Sequence, residues 1–382
     1  MKKIVLAPDS FKGTMSALQI CRIMSKAIAG SFPHCEVVSV PMADGGEGMV
    51  DCFLAAVGGE KVRIGISGPY FERTEGFYGI LDGGTAVIEM AAAAGLPMVR
   101  GREDPGKTTT YGVGQLIADA LKKGCRHILL GLGGSCTNDG GCGACAALGV
   151  VFKDKKGSVF VPTGDTLEQI DEIDTKKAEM LLCGADIRIM CDVDNPLCGE
   201  EGAAYVFGPQ KGADADDVKR LDRGLRHLGD ILAPIYGARG DIFALPGGGA
   251  AGGMGAGLCA MLGAGLVSGV NGVLDTVDFD GDARDADLII TGEGRLDRQS
   301  LRGKVIQGVC RRASALGVPV CAVVGDYDDR VLPMKGLTAV FSINRRAVPF
   351  SVARKTSESD LKLTVDNMMR LISAAEKWGK GQ

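Results

Sequence analysis

Several loops in this chain mix glycine with residues able to handle a phosphoryl group. They are Asp9-Ser10-Phe11-Lys12-Gly13, Asp44-Gly45-Gly46-Glu47-Gly48, Gly133-Gly134-Ser135-Cys136-Thr137-Asn138-Asp139, Gly208-Pro209-Gln210-Lys211-Gly212 and Thr291-Gly292-Glu293-Gly294-Arg295. Glycine lets backbone amides approach an anion, carboxylates can hold Mg²⁺ or orient a hydroxyl, and Lys or Arg neutralises charge. Any one such loop is also what a tight turn with solvated polar residues looks like. Their recurrence shifts the weight towards anion chemistry.

Other patterns weigh less. Cys191-Asp192-Val193-Asp194-Asn195-Pro196 sets two carboxylates in alternation beside an amide. The group could bind Mg²⁺ or accept a hydroxyl proton, or be an Asp-Asn-Pro turn bonding to itself. Gly101 to Thr108 satisfies the P-loop spacing G-x-x-x-x-G-K-[ST], but Glu103 and Asp104 would put negative charge in the cradle and Pro105 offers no N–H. Gly247 to Gly252 fits G-x-G-x-x-G after the apolar Ile242 to Leu245, yet glycines continue among Ala and Met, as close helix packing requires. Cys142 and Cys145 lack a second C-x-x-C to complete a zinc set and read as buried thiols. The histidines, His34, His127 and His227, lie outside the glycine-rich loops, which disfavours a Ser-His-Asp hydrolase.

The elements that must position these loops alternate β and α. Lys2 to Ala7 reads as a buried strand, followed by a capping box at Ser16 and Gln19 that opens a helix. Val37 to Val40, His127 to Leu132, Ile187 to Met190, Leu288 to Ile290 and Val318 to Val324 repeat the strand-then-polar-loop pattern. Asp82-Gly83-Gly84 and Lys155-Lys156-Gly157 mark hairpins in the middle of the chain. The expected fold class is α/β, with a doubly wound parallel-sheet domain formed from residues 1–72 and 285–382, and a mixed α/β domain, 73–284, inserted into it. Ligands of such sheets bind beyond the carboxyl ends of the strands, so the active site is expected in the cleft between the domains.

With 382 residues and 46% hydrophobic content the chain can bury substantial cores, and its 58 glycines, about twice the ordinary share, carry no collagen period. The net charge of −4 provides no basic field for nucleic acid or an acidic membrane. Ile4 to Ala7 is too short for a signal-peptide core, no run reaches membrane-span length, and 13 cysteines fit free thiols in a reducing compartment. The expected location is the cytoplasm; composition leaves the oligomeric state open.

Long segments in order carry a resemblance. Ala7 to Gly13, Pro41 to Gly48, Gly133 to Gly141, Cys191 to Leu197, Val206 to Ala213 and Thr291 to Arg295 resemble the successive signatures of the bacterial-type glycerate kinases, from the first strand to about Gly325. The resemblance implies transfer of the ATP γ-phosphoryl group to D-glycerate with Mg²⁺, usually giving 2-phosphoglycerate, on a two-domain α/β architecture. On that reading Ser10 and Lys12 with Arg295 hold the glycerate carboxylate and the transferring phosphate, and Lys211 adds a substrate contact. Asp192 is the base, Asp194 or Asp44 contacts Mg²⁺, and Asp44 also faces the substrate. Gly133, Gly134, Ser135, Thr137, Asn138 and Asp139 cradle the ATP phosphates. Cys136 and Gly248 stand where alanine is more usual, and Asn344 to Val348 lacks the expected glycine-proline turn near the last strand. The competing readings are an NAD-dependent dehydrogenase using Gly247 to Gly252, which NAD(H) and not ATP would stabilise, and a two-domain ligand-binding protein that closes without turnover.

Overall fold

The structure, a computed structural model, describes residues 1–43, 45–297 and 305–379. The chain divides into two compact units, 1–44 with 55–57 and 270–382, and 45–54 with 58–269.

The first unit is an all-parallel sheet of five strands in the order Ala339–Ser342, Val320–Val324, Leu288–Gly292, Lys3–Pro8 and Glu36–Ser39. Leu288–Gly292 and Val320–Val324 are buried along their whole length, which is why both read as continuous apolar runs rather than alternations. The helices Ala17–Ser31 and Ser357–Gly379 bring Met24, Ile28, Leu361, Val365 and Met369 onto Ile4, Leu6, Ile290 and Val323, while Val305–Leu316 packs on the central strands. The helix after the first strand starts where the capping box puts it: Ser16 Oγ accepts from the Gln19 amide at 3.3 Å, and Gln19 Oε1 accepts from the Ser16 amide at 2.9 Å.

The second unit holds a six-stranded mixed sheet ordered Gly265–Val267, Asp186–Met190, His127–Gly131, Thr85–Glu89, Arg73–Leu81 and Gly59–Ser67. The first four run parallel and the last two are added antiparallel. A small antiparallel sheet joins Val159–Phe160, Val151–Lys153 and Glu172–Asp174, with Asp154 accepting from the Lys156 and Ser158 amides in the turn.

The division differs from boundaries at 72 and 285, for two physical reasons. Gly59–Ser67 pairs over its full length with Arg73–Leu81, so the mixed sheet claims it. Arg312 on Val305–Leu316 binds Asp275 at 2.5 Å and Asp280 at 2.7 Å, tying the segment before 285 to the parallel-sheet unit.

Candidate functional site

In the first unit, the loops after four adjacent parallel strands converge on a cavity of about 870 Å³. Ser10 and Lys12 follow Lys3–Pro8, Glu293 and Arg295 follow Leu288–Gly292, Asp326 follows Val320–Val324, and Asn344 to Arg346 follow Ala339–Ser342. Strand-end loops of an open α/β sheet are where such a site is expected. A tight turn sets Lys12: the Phe11 amide donates to Met15 O at 2.9 Å, Gly13 takes φ +80°, and buried Phe11 and Met15 anchor the turn while Lys12 stays exposed.

The loops are laced together. The Asp9 amide donates to Gly292 O at 2.8 Å, Thr291 Oγ1 to Ala7 O at 2.8 Å, and Ser342 Oγ to Gly325 O at 3.0 Å. Arg295 and Asp326 also pair in a short parallel ladder, with Arg295 Nε 3.9 Å from the Asp326 carboxylate. A Cβ at Gly325 would collide with the Gly294 carbonyl, so that loop must carry glycine to reach its neighbour. Of the residues expected to act on substrate, the cavity gathers Ser10, Lys12 and Arg295. It adds Asp9 and Glu293, which the sequence showed only as members of glycine-rich loops, and Asp297, Asp326, Arg345, Arg346 and Arg354, for which no sequence signal was read.

The other candidates sit on the second unit. In the loop 133–139, Gly133 and Gly134 reach the surface, whereas Ser135 to Asp139 are buried. Asp139 accepts from the Thr110 amide and hydroxyl, both at 2.8 Å, and from the Gly141 and Gly143 amides at 3.1 and 3.2 Å. Burial pushes its carboxyl up, and these four donors pull against that. Asp139 thus holds the loop to the start of the helix Cys142–Ala147 from inside. Lys211, 2% exposed, donates to Ser135 Oγ at 2.9 Å and Thr137 O at 2.7 Å, and burial pushes its ammonium down to about 8. It braces the loop and presents no charge to solvent. Thr137 Oγ1 and both side-chain polar atoms of Asn138 are buried without a hydrogen-bond partner, an arrangement that a bound water or ligand group would satisfy.

Asp192 follows Asp186–Met190 and is half-buried; its Oδ1 accepts from the Gly269 amide at 2.8 Å and the Ser268 hydroxyl at 3.3 Å, which fixes the carboxylate's orientation. Asp194 is exposed two residues on. Asp44 lies outside the described residues. In the loop that follows it, the Glu89 carboxylate takes the Gly48 and Val50 amides at 3.2 and 2.7 Å, so a protein carboxylate already fills the anion position at the start of Met49–Val57.

The two familiar patterns resolve into packing. No strand leads into Gly101 to Thr108; Lys107 is exposed and paired with Asp104 at 2.8 Å, and buried Thr108 donates to Cys136 O at 3.0 Å. Ile242 to Leu245 forms no strand, and Ala251, Gly252 and Gly253 all take left-handed angles, where a Cβ at Gly252 would strike the Thr137 carbonyl. Those glycines let the helix Ala250–Leu262 approach the 137–140 backbone. Cys142 and Cys145 are fully buried, their thiols pushed up by desolvation.

The sequence profile of the glycerate kinase family matches residues 4–373. A glycerate kinase of Bacillus cereus is 44% identical over 96% of this chain and 97% of its own length, and a glycerate 2-kinase of Escherichia coli is 42% identical over 89% and 90%. The crystal structure of a Salmonella typhimurium LT2 chain assigned as glycerate kinase 2 superposes with a TM-score of 0.87 at 40% identity, covering 98% of this chain and 99% of that one.

Proposed function

Because the chain belongs to the glycerate kinase family, we propose that it transfers the γ-phosphoryl group of ATP to the 2-hydroxyl of D-glycerate, assisted by Mg²⁺, giving 2-phosphoglycerate. The observation that carries the assignment of the acceptor is the cavity that brings Ser10, Lys12 and Arg295 together at the ends of adjacent parallel strands. A small hydroxy acid needs a cation for its carboxylate and a donor or acceptor for each hydroxyl, and this wall supplies both. Asp192 is assigned the proton of the attacking hydroxyl, a role that requires it to reach the bound acceptor during turnover. The turn at Gly133 and Gly134, of which Gly134 is exposed, is assigned to the nucleotide phosphates, with Lys211, Asp139 and Thr137 holding that loop from behind.

The donor set suits a hard cation. Asp9, Glu293, Asp297 and Asp326 offer carboxylate oxygens around the cavity, and Asp194 offers another on the second unit. Among the described residues no three His, Cys, Asp or Glu groups are clustered to cage a metal. When bound, the ion neutralises charge on the transferring group. Among the described residues no helix is long and apolar enough to cross a membrane.

Lys12→Ala and Arg295→Ala test the acceptor site. Both side chains are exposed, so stability should stay within about 0.5 kcal/mol. Each removes a charge-assisted contact worth about 3 kcal/mol, so kcat/KM for glycerate should fall roughly 100-fold in steady-state assays. Unchanged glycerate kinetics in both variants would move the acceptor elsewhere.

A further inference from the structure

The cavity of the first unit is far larger than a three-carbon acid needs: about 870 Å³, within the range of roughly 300–1,000 Å³ that accommodates ligands of nucleotide size. Lys12 and Arg295 share their loops with acids, but one lining segment carries cations alone. The acidic lining residues come from the loops at 9, 293, 297 and 326, whereas the segment 343–357 contributes three arginines and no acid. Arg345 is tied to Asp360, which also accepts from Thr356 Oγ1 at 2.7 Å. Among the described residues Arg346 and Arg354 have no ion-pair partner, and both are exposed. Beside them on the same wall stand Val348 and Phe350, 38% and 63% exposed.

Glycerate explains none of this. It carries a single carboxylate, which Lys12 and Arg295 already answer, and has no flat apolar surface. A nucleoside triphosphate has both missing features: a base whose face can lie on Phe350 and Val348, and a phosphate chain with several negative charges.

We infer that the wall formed by Arg346, Arg354, Val348 and Phe350 is a nucleoside-phosphate site, the arginines meeting the phosphate chain of the donor and Phe350 its base. As a statement about the phosphoryl donor, it rests on the kinase reading above. Asn344 to Val348, the stretch that departs from the glycine-proline turn of the resembled family, then serves as the arginine-bearing strap of the donor site.

The test uses the full chain with the double variant Arg346→Ala/Arg354→Ala and, separately, Phe350→Ala. All three positions are exposed, so thermal melting should coincide with the parent protein. Binding of MgADP, measured by calorimetry without glycerate, should weaken at least tenfold in the double variant and several-fold in Phe350→Ala. In turnover assays KM for ATP should rise by a similar factor while KM for glycerate stays within twofold. Unchanged MgADP affinity in the double variant would overturn the inference, as would a rise in KM for glycerate alone, which would give the wall to the acceptor. If the parent chain bound MgADP but phosphorylated no glycerate, the substrate assignment would fail, and the calorimetry would still decide the arginine wall.

Discussion

Asp192→Asn should lower kcat by roughly 10² to 10⁴, the usual worth of a positioned general base, and leave the fold intact. The reason for expecting both lies in the hydrogen bonds to the parent carboxylate. Its Oδ1 accepts from the Gly269 amide and the Ser268 hydroxyl, and an asparagine carbonyl oxygen can take both in the same place. What the substitution removes is the negative charge that attracts the hydroxyl proton. Glycerate and ATP binding, which the proposal assigns to other residues, should shift little, so the loss should fall on kcat rather than KM. Glu293→Gln is the informative companion, since Glu293 stands in the loop that carries Arg295 and lines the acceptor cavity. If Asp192→Asn turned over within tenfold of the parent while Glu293→Gln lost activity by orders of magnitude, the base would be Glu293.

The second large effect is on stability. Asp139→Ala should cost on the order of 4 kcal/mol or more, because it strands the Thr110 amide and hydroxyl and the Gly141 and Gly143 amides in a fully buried site. Each unsatisfied donor there is worth about 1–3 kcal/mol, against a total stability of about 5–15 kcal/mol for an ordinary domain. Asp139→Asn keeps the shape and one acceptor oxygen but turns an NH₂ towards a donor, so it should fall between the parent and the alanine variant. Urea denaturation followed by circular dichroism gives the comparison. An alanine variant within 1 kcal/mol of the parent would mean that the Asp139 network does not hold the loop, and the assignment of 135–139 as a brace behind the exposed glycines would go with it.

Much of the scaffold could be read from local patterns. The strands around Ile4 and Ile289 are buried on both faces, so they stand out as apolar runs, and Ser16 with Gln19 marks a helix start by side-chain chemistry alone. The boundaries between units were not legible, because they depend on which partner Gly59–Ser67 finds, and strand pairing is not encoded in a strand's own periodicity. The site was legible in part. Lys12 and Arg295 share a cavity because each follows a parallel strand of one sheet, a consequence of topology that the alternating pattern already implied. Lys211 and Asp139 are of residue types that suggest ligand contact, yet the fold turns both inward, and no one-dimensional spacing distinguishes a lysine that meets a phosphate from one that braces the loop beneath. The arginine wall escaped for the opposite reason: Arg345, Arg346 and Arg354 follow the last strand in a segment without glycine, where nothing local marks a ligand loop.

The reaction itself is most directly tested by proton-coupled phosphorus NMR of the products formed from D-glycerate and MgATP. The account predicts that the three resonances of ATP give way to the α and β resonances of ADP together with one new phosphomonoester signal, a doublet, because a phosphate on the 2-oxygen couples to the single proton of its carbon. A triplet would place the phosphate on the terminal CH₂ oxygen, and release of inorganic phosphate or no consumption of ATP at all would contradict the proposed transfer.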